Sequence, residues 1–240
     1  IKMIHVTVWN ENLHEQEEGH IIHKHYPNGI HNYIAGFLSK QPDLTTTTAP
    51  LQMPEHGLTT EVLDKTDVLI WWAHYGHSRV SDEVAERVHQ AVLQGMGLIV
   101  LHSGHLCKPM KLCLGTSCTL NWRDDDRERL WCCNPGHPIA KDIPAHIELE
   151  QEEMYGEFFD IPKPDDVVFL GWYKGGEVFR SGVTFSRGRG KIFYFQPGHE
   201  EYPTYHNAYI QKIITNAVYW AAPTARLHEE IKCGHPEPLE

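Results

Sequence analysis

The sequence predicts a three-layer α/β/α domain on a mostly parallel sheet, with an antiparallel hairpin near the C-terminus. Three observations carry that expectation. Residues 67–72 (DVLIWW) and 97–101 (GLIVL) are apolar or glycine runs with almost no alternation, as in strands covered on both faces. A helical period lies between them, with Val84, Val88, Ala91 and Val92 on one face. Residues 187–190 (RGRG) join two strand-like runs through a glycine-rich turn.

The elements follow in order. Met3 to Trp9 reads as the first strand, with Asn10 and Glu11 at its carboxyl end. A polar, His-rich stretch to His25 reads as a long loop. Pro27 opens a helix through Lys40, with Ile30, Tyr33, Ile34, Phe37 and Leu38 at helical spacing. Leu44 to Ala49 is a threonine-rich strand, and Asp67 to Trp72 is a buried one ending near His74 and His77. Ser81 caps the next helix, Asp82 and Glu83 complement its dipole, and Gly95 ends it. The strand to His102 completes a β-α-β-α-β-α-β pattern, which predicts parallel pairing. Residues 104–165 read as irregular, and the charged run Arg123 to Arg129 as a solvated surface segment. Strands are expected over 167–172, 178–185 and 191–196, and a closing helix over 206–221. Residues 1–223 therefore form one domain, and 224–240 form a proline-rich, charged tail.

Composition narrows the function. Lys plus Arg number 21 against 32 Asp plus Glu, a net charge of -11, which argues against nonspecific nucleic-acid binding. No apolar run approaches the roughly 18 residues that span a bilayer, and no signal-peptide pattern is visible, so no membrane partner is expected. The six cysteines show no C-x2-C spacing, and reduced thiols in a cytoplasmic protein are the expectation. Histidine is the outlier at 18 residues, many of them clustered. Histidine is both a frequent metal ligand and the usual acid-base group near neutral pH.

Polar groups stand at four strand ends: Asn10 with Glu11, His74 with His77, His102 with Ser103, and the segment 196–201. In a parallel sheet these ends converge on one rim. Glu153 and Tyr155 are further candidates in the irregular segment. Three chemistries fit. Ser103 can act as nucleophile with His199 as base and Glu201 behind it, although the bulky His102 precedes it. His102, His105 and His199 can hold a divalent metal such as zinc. Metal-free acid-base work by His102, His199 and Glu153 about a carbonyl is the third. Trp9, Asn10, Glu11, His74 and Tyr155 are then candidate substrate-binding groups, with ordinary core packing as the alternative for the aromatics.

The chain resembles the ThuA-like proteins, named for trehalose utilisation. The resemblance rests on residues 8–11 (VWNE), 30–31, 99–103 (IVLHS), 115–120 with Trp122 and Arg123, 152–157 (EEMYGE), 176–182 and 194–199 (YFQPGH). It implies a flavodoxin-like sheet of the class I glutamine amidotransferase-like superfamily. Those enzymes carry a Gly-x-Cys-x-Gly elbow and a later His-x-Glu. This sequence is similar at His199 and Glu201 but has no cysteine at the elbow, so glutaminase chemistry is not expected. The resemblance implies a small-molecule sugar partner and an enzyme acting on a disaccharide or its keto derivative, by isomerisation or cleavage. A non-catalytic sugar-binding or regulatory protein is the alternative. A homo-oligomer is expected from family habit.

Overall fold

The computed structural model describes residues 3–227 and 233–240. Nine strands form one sheet: β1 (Ile4–Asn10), β2 (Leu44–Pro50), β3 (Val68–Trp72), β4 (Gly97–Leu101), β5 (Asn121–Cys132), β6 (His146–Gly156), β7 (Asp166–Tyr173), β8 (Val178–Arg187) and β9 (Gly190–Phe195). Their order is β2-β1-β3-β4-β9-β8-β7-β5-β6. Six helices accompany them: α1 (Ile22–His25), α2 (Ile30–Leu38), α3 (Thr60–Lys65), α4 (Asp82–Leu93), α5 (Lys108–Leu114) and α6 (Ala208–Ala221).

The sheet divides into two halves. Pairing from β2 to β9 is parallel, and the helices cover it on both faces. Val84, Val88 and Val92 of α4 and Met110 of α5 pack with Trp71, Leu98 and Val100 on one face. Ile30, Ile34 and Leu38 of α2, with Ile210, Ile214 and Val218 of α6, pack with Val8, Ile70, Ile99 and Phe193 on the other. Alternate residues of each strand serve opposite layers, so the apolar runs needed no polar face. The α4 cap forms as read: the Ser81 side chain accepts from the Val84 amide.

The expectation of a mostly parallel sheet is corrected. From β9 through β8, β7 and β5 to β6 every pairing is antiparallel, beginning with the expected β8–β9 hairpin. The difference lies in the supposedly irregular segment. The run Arg123 to Arg129 is part of β5: Arg127 and Arg129 meet Glu148 on β6, and Arg123 meets Glu177 in the turn between β7 and β8. Cross-strand ion pairs replace apolar alternation in β5, whose first half is exposed. Register shifts between Arg123 and Asp126, and between Asp126 and Glu128, bend it. The bend returns the end of β6 to the parallel half, where Gln196 Nε2 donates to the Glu153 carbonyl at 2.9 Å.

The expected loop before His25 contains a 3-10 turn, His14–Gln16, and α1. In the tail, Arg226 donates to the Leu63 and Thr66 carbonyls, tying its start to the domain. Residues 228–232 lie outside the described residues, and 233–240 are exposed without regular structure. No helix among the described residues is long and apolar enough to cross a membrane.

Candidate functional site

The buried strand β4 delivers its chain to a sharp turn. His102 stands there at φ 50, the left-handed region that costs a β-carbon-bearing residue strain. The surroundings fix it from three sides. Tyr194 Oη donates to the His102 carbonyl at 3.0 Å. His102 Nδ1 lies 2.9 Å from the Gln196 carbonyl, and Nε2 lies 3.0 Å from Glu153 Oε2. The Tyr155 ring stacks on the imidazole, with centroids 5.2 Å apart. An imidazole with an acceptor at each nitrogen is best satisfied as the doubly protonated cation. Burial presses the ring toward neutrality, but the bond to Glu153 and the charges of Glu153 and Glu152 outweigh it and hold its pKa above the ordinary histidine value. Burial likewise pushes the Glu153 carboxyl up, and His102 more than reverses that, keeping it below the usual range.

Adjacent carboxylates on β6 have different tasks, because successive strand residues face opposite sides. Glu153 meets His102. Glu152 accepts from the amides of Gly198 (3.0 Å), His199 (3.1 Å) and Glu153 (3.1 Å) and from Thr204 Oγ1 (2.6 Å). It staples the loop after β9 to the end of β6.

That loop presents His199. Its Nδ1 accepts the Glu201 amide at 3.2 Å, so the neutral ring carries its proton on Nε2. Burial, followed by the charge on His102, pushes its pKa down to about 4. Glu201 was expected to orient His199 through its carboxylate. The structure corrects this: the Glu201 side chain is exposed, and the carboxylate beside His199 is Glu200, 3.6 Å from Nδ1. The rings of His74, His102 and His199 stand around one point, with centroids 5.1 to 6.1 Å apart.

A cleft of ≈ 450 Å³ opens over these groups, lined among others by His74, His105, Glu153, Tyr155 and His199, with Trp122 at its rim. Trp122 is 62 % exposed. Grooves of ≈ 690 and ≈ 590 Å³ beside α6 and α2 share no residue with it and collect no comparable set of acids and bases.

Several expected site residues land elsewhere. Trp9 lies buried beneath the sheet, stacked on Trp71 at 3.8 Å, and cannot meet a sugar. Asn10 ties Glu15 to His31, at 2.6 and 3.0 Å. Glu11 accepts from the Tyr75 and Gly76 amides, so both polar groups shape loops rather than contact a ligand. His102 is fully buried and does not line the cleft; it positions Glu153. The metal set of His102, His105 and His199 does not assemble. His102 has both nitrogens engaged, and His105 spends Nδ1 on the Cys118 carbonyl at 2.6 Å. Ser103 Oγ bonds Tyr155 Oη at 2.6 Å and has no histidine partner, while Cys107 rather than Ser103 caps α5. Sequence reasoning gave no role to Glu152, Glu200, His14 or the exposed Trp122. The doubled Glu152–Glu153 pair was the available signal, since successive residues of a strand face opposite sides.

Solved structures of low identity share this fold. A ThuA-like protein from Parabacteroides merdae superposes with a TM-score of 0.69 at 14 % identity, covering 96 % of this chain and 93 % of that one. A cytoplasmic protein of Salmonella typhimurium gives 0.60 at 14 %, covering 91 % and 99 %. PurLQS from Thermotoga maritima gives 0.53 at 13 %, covering 92 % and 99 %, which places the fold with that of glutamine amidotransferases. No curated protein matches the chain in sequence. The family model described as trehalose utilisation matches residues 5–221, and the chain belongs to the ThuA family.

Proposed function

We propose that the protein is an enzyme of sugar metabolism that moves a proton at the carbon beside the carbonyl of a keto-disaccharide, without glutaminase activity. One observation carries the reading: an anionic carboxylate, Glu153, and a neutral imidazole bearing its proton on Nε2, His199, face the same cleft. Glu153 takes the proton from carbon, and the electron pair moves to the carbonyl oxygen. His199 donates a hydrogen bond to that oxygen as charge develops. A carboxylate base beside a neutral histidine is an established arrangement for enolisation. Return of the proton to the other carbon isomerises the sugar. Departure of a group on the next carbon cleaves it, which for a 3-keto-disaccharide is the glycosidic bond. His102 holds Glu153 in place, and Trp122 offers a flat face for a sugar ring. All six cysteines are free thiols, which suits a cytoplasmic setting. The elbow position that a cysteine nucleophile would need is filled by buried His102.

The test is exchange of the carbon-bound proton with deuterated water, followed by NMR on trehalose and its 3-keto derivative. Exchange with the keto sugar is expected, reduced by about 10²–10⁴-fold in Glu153→Gln. Equal exchange in both proteins refutes the assignment. A ligand-induced melting shift without exchange or product identifies a sugar-binding protein instead.

A further inference from the structure

Behind the cleft lies a second cluster. His14 comes from the turn after β1, His74 from the end of β3, and Glu200 from the loop after β9. His14 Nε2 is 2.7 Å from His74 Nδ1, and Glu200 Oε1 is 3.3 Å from each. Ligand bonds of about 2.0–2.1 Å in a tetrahedral zinc site give ligand-to-ligand edges of about 3.3 Å. Two of the three separations already have that length, and the third reaches it by opening roughly 0.6 Å.

We propose that His14, His74 and Glu200 form a binding site for a divalent cation of the zinc class, which shares His74 with the cleft but is argued without the sugar chemistry assigned above. Fourth ligands are close: His14, Glu17 and His20 bring ligand atoms within 4.8 Å of one another, as do His20, Glu200 and Glu201. A separate observation points the same way. Glu200 is 1 % exposed, its ion-pair partners among the described residues are all histidines, and Oε2 has no hydrogen-bond partner. A carboxylate that deep without a permanent cation is costly, and a divalent ion supplies one. Two imidazoles and one carboxylate suit zinc, cobalt or iron better than calcium or magnesium.

The neighbouring group of His74, Glu153 and His199 also brings ligand atoms within 4.8 Å. It is the poorer site. His199 Nδ1 accepts an amide, which leaves a proton and not a lone pair on Nε2, and Glu153 is committed to His102. An ion on His74 Nδ1 would fix that ring and leave its proton on Nε2.

The experiment uses the full chain, stripped with a chelator. Zn(II) is titrated calorimetrically, and Co(II) is followed by its visible absorption. One ion per chain is expected, with the intense cobalt bands of four- or five-fold coordination. His14→Gln and Glu200→Gln each weaken binding at least about tenfold, and Glu153→Gln binds as the parent does. Absence of saturable binding overturns the proposal. So does binding that is lost in Glu153→Gln and retained in His14→Gln, which moves the ion into the cleft. The cobalt spectrum of the parent chain decides even where a variant fails to fold. None of these readouts depends on sugar turnover, so failure here leaves the exchange assay untouched.

Discussion

Replacing His102 by Gln removes the cation from a carboxylate that is only 4 % exposed. Glu153 then escapes burial as an anion by taking a proton. For an unfolded-state pKa of about 4.3, that protonation costs at most about 3.7 kcal/mol at pH ~7 and about 1 kcal/mol at pH ~5. The parent behaves differently. The raised pKa of His102 gives it stability that is complete below about pH 6.5 and fades as pH rises through the folded-state value. The parent therefore gains somewhat under ~1 kcal/mol between pH ~7 and pH ~5, and the gap between parent and His102→Gln closes by about 2 kcal/mol. The reciprocal variant, Glu153→Gln, is cheap. Without the carboxylate His102 becomes neutral, which costs little at pH ~7 because an unpaired imidazole of pKa about 6.5 is already mostly neutral there, and about 1 kcal/mol of hydrogen bonding goes with it. Urea denaturation of the three proteins at both pH values measures all of this. Equal losses in the two variants, or a His102→Gln deficit that does not shrink in acid, would refute an imidazolium–carboxylate pair.

Other expectations are simpler. A β-carbon at Gly198 would stand 2.1 Å from Tyr205 Oη at φ 132, so Gly198→Ala displaces the His199 loop and loses more than about 2 kcal/mol by thermal melting. Trp122→Ala weakens binding of the keto sugar by roughly fivefold, with a melting temperature within a few degrees of the parent, because that ring packs on little of the protein. Under native conditions a thiol reagent modifies the exposed Cys133 and Cys233 quickly and spares Cys107, whose thiol burial pushes far up; peptide mass spectrometry after a short exposure checks it.

The parallel half of the fold was legible because doubly covered strands write themselves as apolar runs: 68–72 and 97–101 appear almost at the predicted bounds. The β5–β6 ribbon was hidden, since Arg127 and Arg129 find their partner, Glu148, on the next strand, which no local window contains. His74 and His199 were found as strand-end groups, and Glu153 as a candidate in a segment read as irregular. Glu201 was read from the His-x-Glu spacing, and a loop has no period to say that Glu200 is the side chain that turns inward. Trp9 was misplaced for the opposite reason: it closes an apolar strand whose buried face continues to the last residue, so its indole packs on Trp71 rather than reaching the rim.

The adjacency of Glu152 and Glu153 sets a limit on how this family member can be redesigned or can drift. One carboxylate anchors a distant loop and its neighbour faces the cleft, so the phase of β6 is itself functional. Deleting one residue between the bends of the ribbon and Glu152 would put Glu153 in the anchoring place and Met154 toward the cleft, and inserting one would turn Glu152 to the cleft and leave the loop without its anchor. Length changes are tolerable in the turn at Gly175 and Gly176, which lies outside that count, but not along the strand. Two aligned sequences that differ by a single gap there would share both carboxylates and not their placement.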